Sequence, residues 1–187
     1  MRKLAIWHLV MVLIFPALVT AKNLNIVLKD LQGNKHNVNE YIGKGKWTVV
    51  MFWAHDCPAC NAEAPHIAFF HNDHRKTDAT VLGISIDGEG KLRKAQAFYD
   101  RHMLNFPNLI TEPDGDLLLE FGGGMFIGTP TFYIYNPAGH FMARYIGALG
   151  QDRLEGLINR LKKHNQVAYR HPPIETSSHF PEPKLKK

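Results

Sequence analysis

Blocks of apolar and polar residues follow one another along this chain and predict an α/β domain. The segments Trp47–Ala54 and Thr80–Asp87 are apolar at almost every position and rich in β-branched residues. This pattern is typical of strands buried on both faces of a sheet. Helix candidates follow at Cys60–Asp73 after the first strand and at Lys91–Arg101 after the second. The order strand, helix, strand, helix favours a parallel sheet covered by helices.

Shorter patterns predict the remaining elements. We expect strands at Asn25–Lys29, Lys35–Val38, Asn108–Thr111, Thr131–Tyr135 and His140–Ile146, and helices at Asp114–Phe121 and Gln151–His164. The first two strands form an N-terminal hairpin, the last two strands form a second hairpin, and Asn39 is expected to cap a short turn. Residues 88–122 are interpreted as a central insertion.

The two ends of the chain differ in composition from its middle. Residues 1–21 begin with two basic residues, continue with an apolar run and end on small residues, which is the pattern of a cleavable signal peptide. An uncleaved anchor is the alternative, and either outcome exports the protein to a periplasmic or other extracytoplasmic location. We expect one domain over residues 22–165. Residues 166–187, which carry four prolines and a lysine-rich end, are expected to form a flexible tail.

Charge adds little to this picture. The formal net charge is +5, and the body of the chain has no run of lysine and arginine. A nucleic-acid partner is therefore not expected.

The only two cysteines, Cys57 and Cys60, lie two residues apart between a predicted strand and a predicted helix. A disulfide that closes so short a loop removes little chain entropy, so a purely structural bridge is disfavoured. At a helix N-terminus, backbone N–H groups and the helix dipole favour a thiolate. The spacing therefore predicts a redox-active pair in which Cys57 attacks a disulfide and Cys60 resolves the mixed disulfide.

Four sequence blocks resemble the thioredoxin-like TlpA/ResA/DsbE family of extracytoplasmic thiol-disulfide oxidoreductases. They are Phe52–Ala54, the C-x-x-C-x-x-E-x-P stretch Cys57–Pro65, the Gly128–Phe132 block around Pro130, and the hairpin from Phe132 to Gly147. The resemblance covers about residues 24–161. It implies a thioredoxin fold carrying the N-terminal β-hairpin and the central insertion.

The family resemblance also implies roles for particular residues. Pro130 would follow a cis peptide bond and lie against the disulfide, and Thr129 would pair with a substrate strand. Trp53, expected as an aromatic of the core or of the site wall, and Pro58 complete the expected substrate-binding set. The implied partners are a client protein with a disulfide, such as an apocytochrome c, and a membrane electron donor. No organic cofactor and no metal are expected, since the cysteine pair is the redox unit.

Cys60 needs to lose a proton before it can attack. Thioredoxins carry a buried aspartate on the central strand, but the matching residue here is Met51. Glu63, about one helical turn beyond Cys60, is therefore the candidate for proton transfer or thiol tuning. A second departure is Asp56, which replaces the usual tryptophan before the first cysteine. Its carboxylate should disfavour the Cys57 thiolate, and a protonated His55 would oppose this effect.

Two other functions stay open at this point. A copper-delivery protein of the same fold would bind Cu(I) through two thiolates and a histidine. A disulfide-forming oxidase also uses C-P-x-C motifs, although the insertion here is too short for the helical domain of such enzymes. A peroxiredoxin is disfavoured because the segment before Cys57 lacks the expected proline. His66, His71 and His74 lie on or near the first helix, and the last two have the spacing of a metal-binding pair.

Overall fold

The computed structural model describes residues 24–170, and the side chains of residues 24–164. Within this range the chain forms seven strands and four α-helices. The strands are β1 (Val27–Asp30), β2 (Lys35–Asn37), β3 (Trp47–Trp53), β4 (Ala79–Ser85), β5 (Asn108–Ile110), β6 (Thr131–Tyr135) and β7 (Phe141–Ile146). The helices are α1 (Pro58–His74), α2 (Leu92–Arg101), α3 (Gly115–Glu120) and α4 (Gln151–Arg170).

All seven strands belong to one sheet in the order β2-β1-β5-β4-β3-β6-β7. Strands β3, β4 and β5 are parallel to one another, and the remaining pairs are antiparallel. Strand β3 lies between β4 and β6, and every one of its residues is buried. The parallel pairing of β3 with β4 places the ends of both strands at the same edge of the sheet, and the start of α1 lies at that edge.

The two faces of the sheet bury two separate apolar clusters. Alternate side chains of β3, among them Met51, face the cluster formed with α1, α2 and α4. The intervening side chains, among them Phe52, face a second cluster that includes α3 and the segment after β2. Because successive strand residues point to opposite faces, a strand covered on both faces is apolar throughout, as its sequence indicates.

The central elements agree with the sequence predictions, and the differences lie at the edges. Strand β1 begins at Val27 because Asn25 has a positive φ of 45°, which a strand does not accommodate. The short 3₁₀ turn after β2 is capped by Asn37 rather than Asn39: the Asn37 side chain accepts from the backbone N–H of Asn39, and Glu40 bonds back to Asn37.

The predicted end of the domain at residue 165 falls inside α4, which continues to Arg170. Residues 166–170 of the predicted tail are thus helical. The predicted signal peptide and residues 171–187 of the predicted tail lie outside the described residues. Segment 88–122, interpreted as an insertion, contains α2, β5 and α3, and it adds β5 to the sheet between β1 and β4. None of the helices between residues 24 and 170 is both long enough and apolar enough to span a membrane.

Candidate active site

The site begins where β3 ends. A tight turn joins Trp53 to α1, and the backbone N–H of Cys57 donates to the carbonyl oxygen of Ala54 at 3.3 Å. Cys57 is the N-cap of α1, and its Sγ accepts a hydrogen bond from the backbone N–H of Cys60 at 3.0 Å. Pro58 occupies the first turn of the helix, where a backbone N–H would have no partner within the helix, so the N–H that proline lacks is not needed. The sulfur of Cys57 thus lies among the unpaired N–H groups that favour a thiolate.

Cys57 and Cys60 form a disulfide whose two sulfurs lie in different environments. Cys57 is partly exposed and is followed by the exposed residues Pro58 and Ala59. Cys60 is fully buried among the apolar residues of the α1 face of the sheet. A large partner molecule can therefore reach the sulfur of Cys57 but not the sulfur of Cys60.

The loop before β6 forms the opposite wall of the site. The Thr129–Pro130 peptide bond is cis, as the family resemblance implied. The carbonyl oxygen of Thr129 lies 3.4 Å from Cys57 Sγ. This proximity follows from the sheet, because β6 is antiparallel to β3 and Thr131 at its start pairs with Phe52 near the end of β3. Thr129 is partly exposed beside the disulfide, whereas Pro130 is buried.

Glu63 lies inside the protein, and only 2% of its surface is exposed. Its Oε1 accepts a hydrogen bond from the backbone N–H of Gly150 at 2.7 Å, just before the start of α4. The sequence places this carboxyl one turn beyond Cys60, and the structure adds that it is buried, as the Cys60 sulfur is.

Trp53 supports the site from within the core. The residue is fully buried, its indole stacks on the ring of Phe98 with centroids 4.3 Å apart, and its Nε1–H donates to Asn108 Oδ1 at 3.0 Å. It offers no surface to a client, contrary to its expected place among the substrate-binding residues. The reason is the direction of its side chain, since alternation along β3 turns it into the cluster under α1 and α2.

Sequence reasoning missed Asp87, a buried carboxylate beside the cysteine loop. It follows β4, and its side chain is 1% exposed. Its Oδ1 lies 2.6 Å from Nδ1 of His55, and its Oδ2 accepts from the backbone N–H of His55 at 3.0 Å and from Ser85 Oγ at 2.7 Å. The signal available in the sequence was that His55 follows one predicted parallel strand and Asp87 ends the other, and the ends of these strands meet at one edge of the sheet.

The histidines of α1 do not form a common metal site. His66 is exposed, and His71 is buried, where its Nδ1 accepts from the backbone N–H of Val81 at 3.1 Å. His74 stacks on Phe70 and bonds to Asp78. Within residues 24–170, His55, Asp56 and Asp87 are the one group of three potential ligands close enough to share an ion, but the Asp87 oxygens already have hydrogen-bond donors.

The sequence profile of the AhpC/TSA family matches residues 19–143, about two thirds of the chain. The chain belongs to the AhpC/TSA family. Two individual relatives are also similar to this chain. The thiol-disulfide oxidoreductase ResA of Halalkalibacterium halodurans is 25% identical to this chain over 138 residues, which cover 74% of each protein. The soluble secreted antigen MPT53 of Mycobacterium tuberculosis is 29% identical over 120 residues, which cover 63% of this chain and 65% of the antigen.

A solved structure supports the same assignment. It is a secreted disulfide oxidoreductase of Mycobacterium tuberculosis, described as homologous to E. coli DsbE. It matches with a TM-score of 0.61 and 26% identity, and the match covers 74% of this chain and 97% of that structure. The thioredoxin-like fold and the resemblance to the ResA and DsbE proteins are thus confirmed. The chain is a thiol-disulfide oxidoreductase.

Proposed function

We propose that this member of the AhpC/TSA family is an exported reductase of protein disulfides, in which Cys57 attacks the client and Cys60 resolves the intermediate. The observation that carries this proposal is the difference between the two sulfurs: Cys57 is accessible at a helix N-terminus, and Cys60 is buried one turn behind it. Only the accessible sulfur can bond to a sulfur of another protein.

In the proposed cycle the enzyme begins as the dithiol. The Cys57 thiolate attacks one sulfur of the client disulfide, and the other client sulfur leaves as a thiolate. Cys60 then loses its proton and attacks the Cys57 sulfur, which releases the second client sulfur as a thiolate. Two electrons pass to the client, which gains two thiols, and the Cys57–Cys60 disulfide forms. Glu63 is the proposed acceptor of the Cys60 proton, since it is the buried carboxyl about one turn further along α1.

Thr129 and Pro58 are the proposed contacts of the client. Both have exposed surface beside Cys57, and the backbone of Thr129 lies next to its sulfur. A client strand that pairs with this backbone would bring its disulfide to Cys57. Pro130 lies buried behind this contact and is proposed to shape it.

The cellular setting belongs to the same proposal. The signal-like residues 1–21 support export, and so do the relatives described as secreted. Each turnover uses two electrons, so a membrane protein that passes electrons outward would have to reduce the Cys57–Cys60 disulfide again. A disulfide-bearing apocytochrome c is a client of suitable chemistry.

The reduction potential of the Cys57–Cys60 pair, measured against a series of glutathione or dithiothreitol ratios, tests the direction. A value near that of thioredoxin, about −270 mV, is expected, whereas a value near −120 mV would indicate an oxidase and contradict the proposal.

Two variants test the roles of the cysteines. Cys57→Ser should abolish reduction of a model disulfide protein, and Cys60→Ser should accumulate a mixed disulfide with it. Mass spectrometry of the trapped species should locate the bond at Cys57. Full turnover by Cys57→Ser would contradict the mechanism.

A further inference from the structure

Asp87 is a buried carboxylate that the proposed cycle does not use. Its hydrogen-bond partners among residues 24–164 are the backbone N–H and Nδ1 of His55 and the hydroxyl of Ser85, and each of them can donate to it. An aspartate carboxylate accepts hydrogen bonds and donates none, and these three donors match it. A negative charge therefore lies at the end of β4, under the loop that carries Cys57.

The charge is close to the reactive sulfur. Asp87 binds His55 through both its backbone and its ring, and His55 precedes Cys57 by two residues. Two trans peptide units separate Cα atoms by at most about 7.6 Å, so the carboxylate lies on the order of 10 Å from the Cys57 sulfur. The Asn61 side chain closes the loop from the other side by donating to the carbonyl oxygens of both His55 and Cys57.

Two carboxylates near Cys57 differ in their exposure to water. Asp56 is adjacent to Cys57 in sequence, but 67% of its side chain is exposed. The Asp87 side chain is 1% exposed. Water screens the first charge strongly and the second weakly, so we expect the more distant residue to have the larger electrostatic effect on the Cys57 sulfur.

We propose that Asp87 is a positioning residue that acts on Cys57: it fixes the His55–Cys57 loop and disfavours the Cys57 thiolate by its buried negative charge. The effect makes the dithiol less stable relative to the disulfide and so makes the pair a stronger reductant. The inference rests on the proposed role of Cys57 as nucleophile, and it gives a structural cause for the proposed reducing direction.

Several other groups face this loop. His55 and Asp56 lie on the loop itself, and Asp87 lies at the end of β4. The N–H groups at the start of α1 lie at the cysteine pair, and the buried Glu63 lies three residues beyond Cys60 on the same helix. His102, at the end of α2, reaches the loop through its Nε2, 3.0 Å from Asn61 Oδ1, and burial lowers the pKa of His102. Among these groups, Asp87 is the buried carboxylate that contacts the loop.

The test measures how fast iodoacetamide alkylates the reduced protein as a function of pH. Asp87→Asn keeps the size of the side chain and removes its charge. We expect the midpoint of the alkylation profile to fall by about one pH unit, the shift that Coulomb's law gives at roughly 10 Å in a partly desolvated site. The reduction potential should become less negative in the same variant.

Asp56→Asn is the matched control, because it also removes one carboxylate next to Cys57. We expect its alkylation midpoint to shift by less than half as much. An Asp56→Asn shift equal to or larger than the Asp87→Asn shift would overturn the inference, as would an unchanged midpoint in Asp87→Asn.

His55→Ala provides a test of opposite sign that does not depend on the folding of Asp87→Asn. It leaves Asp87 charged and removes one of its donors, so the alkylation midpoint should rise; a fall or no change would contradict the inference. Mass spectrometry of the alkylated wild-type protein separates the two proposals. If Cys60 reacts first, the proposed function fails. If Cys57 reacts first and its alkylation midpoint is the same in the wild-type protein and in Asp87→Asn, only the inference fails.

Discussion

His71 is a residue that binds a proton more weakly in the folded protein than in the unfolded chain. It is 6% exposed on the inner face of α1, and its Nδ1 accepts from the backbone N–H of Val81. Burial lowers the pKa of His71 to about 4, and the positive charges of Arg75 and Lys46 act in the same direction. In the unfolded chain a histidine has a pKa near 6.5.

This difference predicts a loss of stability in mild acid. Between pH 6.5 and about 4 the unfolded chain binds the proton and the folded protein does not, so the free energy of unfolding should fall as the pH decreases through this window. The loss attributable to His71 is at most about 3 kcal/mol. Urea unfolding at pH 7, 6, 5 and 4.5 measures it.

His71→Asn is the control for this prediction, because its side-chain oxygen can still accept from Val81 and it does not titrate in this range. It should be less stable at pH 7 and show a flatter pH dependence above pH 4.5. Carboxylates affect the free energy of unfolding at lower pH than His71 does, because their ordinary pKa values are near 4. Desolvation opposes the shift at Asp30, but hydrogen bonds from Asn34 and Gln32 lower its pKa to about 2. A wild-type slope in His71→Asn would contradict the assignment.

Glu63 allows a separate test of the proton step. Glu63→Gln keeps an oxygen that can accept from the backbone N–H of Gly150, so the melting temperature should change little. The variant cannot accept the Cys60 proton, and resolution of the mixed disulfide should slow by roughly 100-fold. Rapid-quench measurement of client release checks this, with Cys57 alkylation as the control that should not change. Release at the wild-type rate would exclude Glu63 from proton transfer.

At the scale of elements, the contact of β4 with β5 depends on a missing side chain. Gly83 on β4 pairs with Asn108 on β5, and a Cβ placed on Gly83 would lie 1.9 Å from Asn108 Oδ1. Asn108 is buried, donates to the carbonyl oxygen of Phe106 and accepts from Trp53 Nε1. Glycine at this position therefore gives Asn108 the space to hold the indole behind the cysteine loop.

Gly83→Ala should displace Asn108 and leave the Trp53 N–H unpaired inside the core. The expected cost is about 2–4 kcal/mol of unfolding free energy, the range for overpacking combined with a lost buried hydrogen bond. Urea unfolding followed by tryptophan fluorescence measures the stability and reports on the indole. Gly115→Ala is the matched control, because a Cβ there meets nothing within 4 Å, and it should be neutral. Equal stability of the two variants would refute the role assigned to Gly83.

The sequence predicted those elements whose pattern is local. Strands β3 and β4 are apolar at most positions, and α1 begins between the two cysteines, at Pro58, so these elements and the position of the cysteines were predictable. The burial of Trp53 depends on the face of β3 to which it points, and α2 and β5 complete its surroundings. The contact of Asp87 with His55 joins residues separated by 32 positions. The ends of two predicted parallel strands place both residues at one edge of the sheet, but the pairing itself depends on side-chain directions that a single sequence does not show.

At the scale of the whole molecule, the reduction potential and the folding equilibrium are linked. The disulfide and dithiol forms differ in their free energy of unfolding. This difference equals the change that folding causes in the free energy of reducing the disulfide, and a change of 30 mV in the reduction potential corresponds to about 1.4 kcal/mol. A strong oxidant such as DsbA has a stabilised reduced form. A reductant requires the opposite order, in which the disulfide form is the more stable one.

We therefore expect the oxidised protein to unfold at a higher urea concentration than the protein reduced by dithiothreitol. Chain entropy alone gives about 2 kcal/mol for so short a loop, and destabilisation of the Cys57 thiolate by Asp87 would increase the difference. Cys57→Ser/Cys60→Ser, unfolded with and without dithiothreitol, controls for effects of the reagent and should show no difference. If the reduced protein is the more stable form, the pair is an oxidant, because the dithiol rather than the disulfide would then be the state that the fold stabilises.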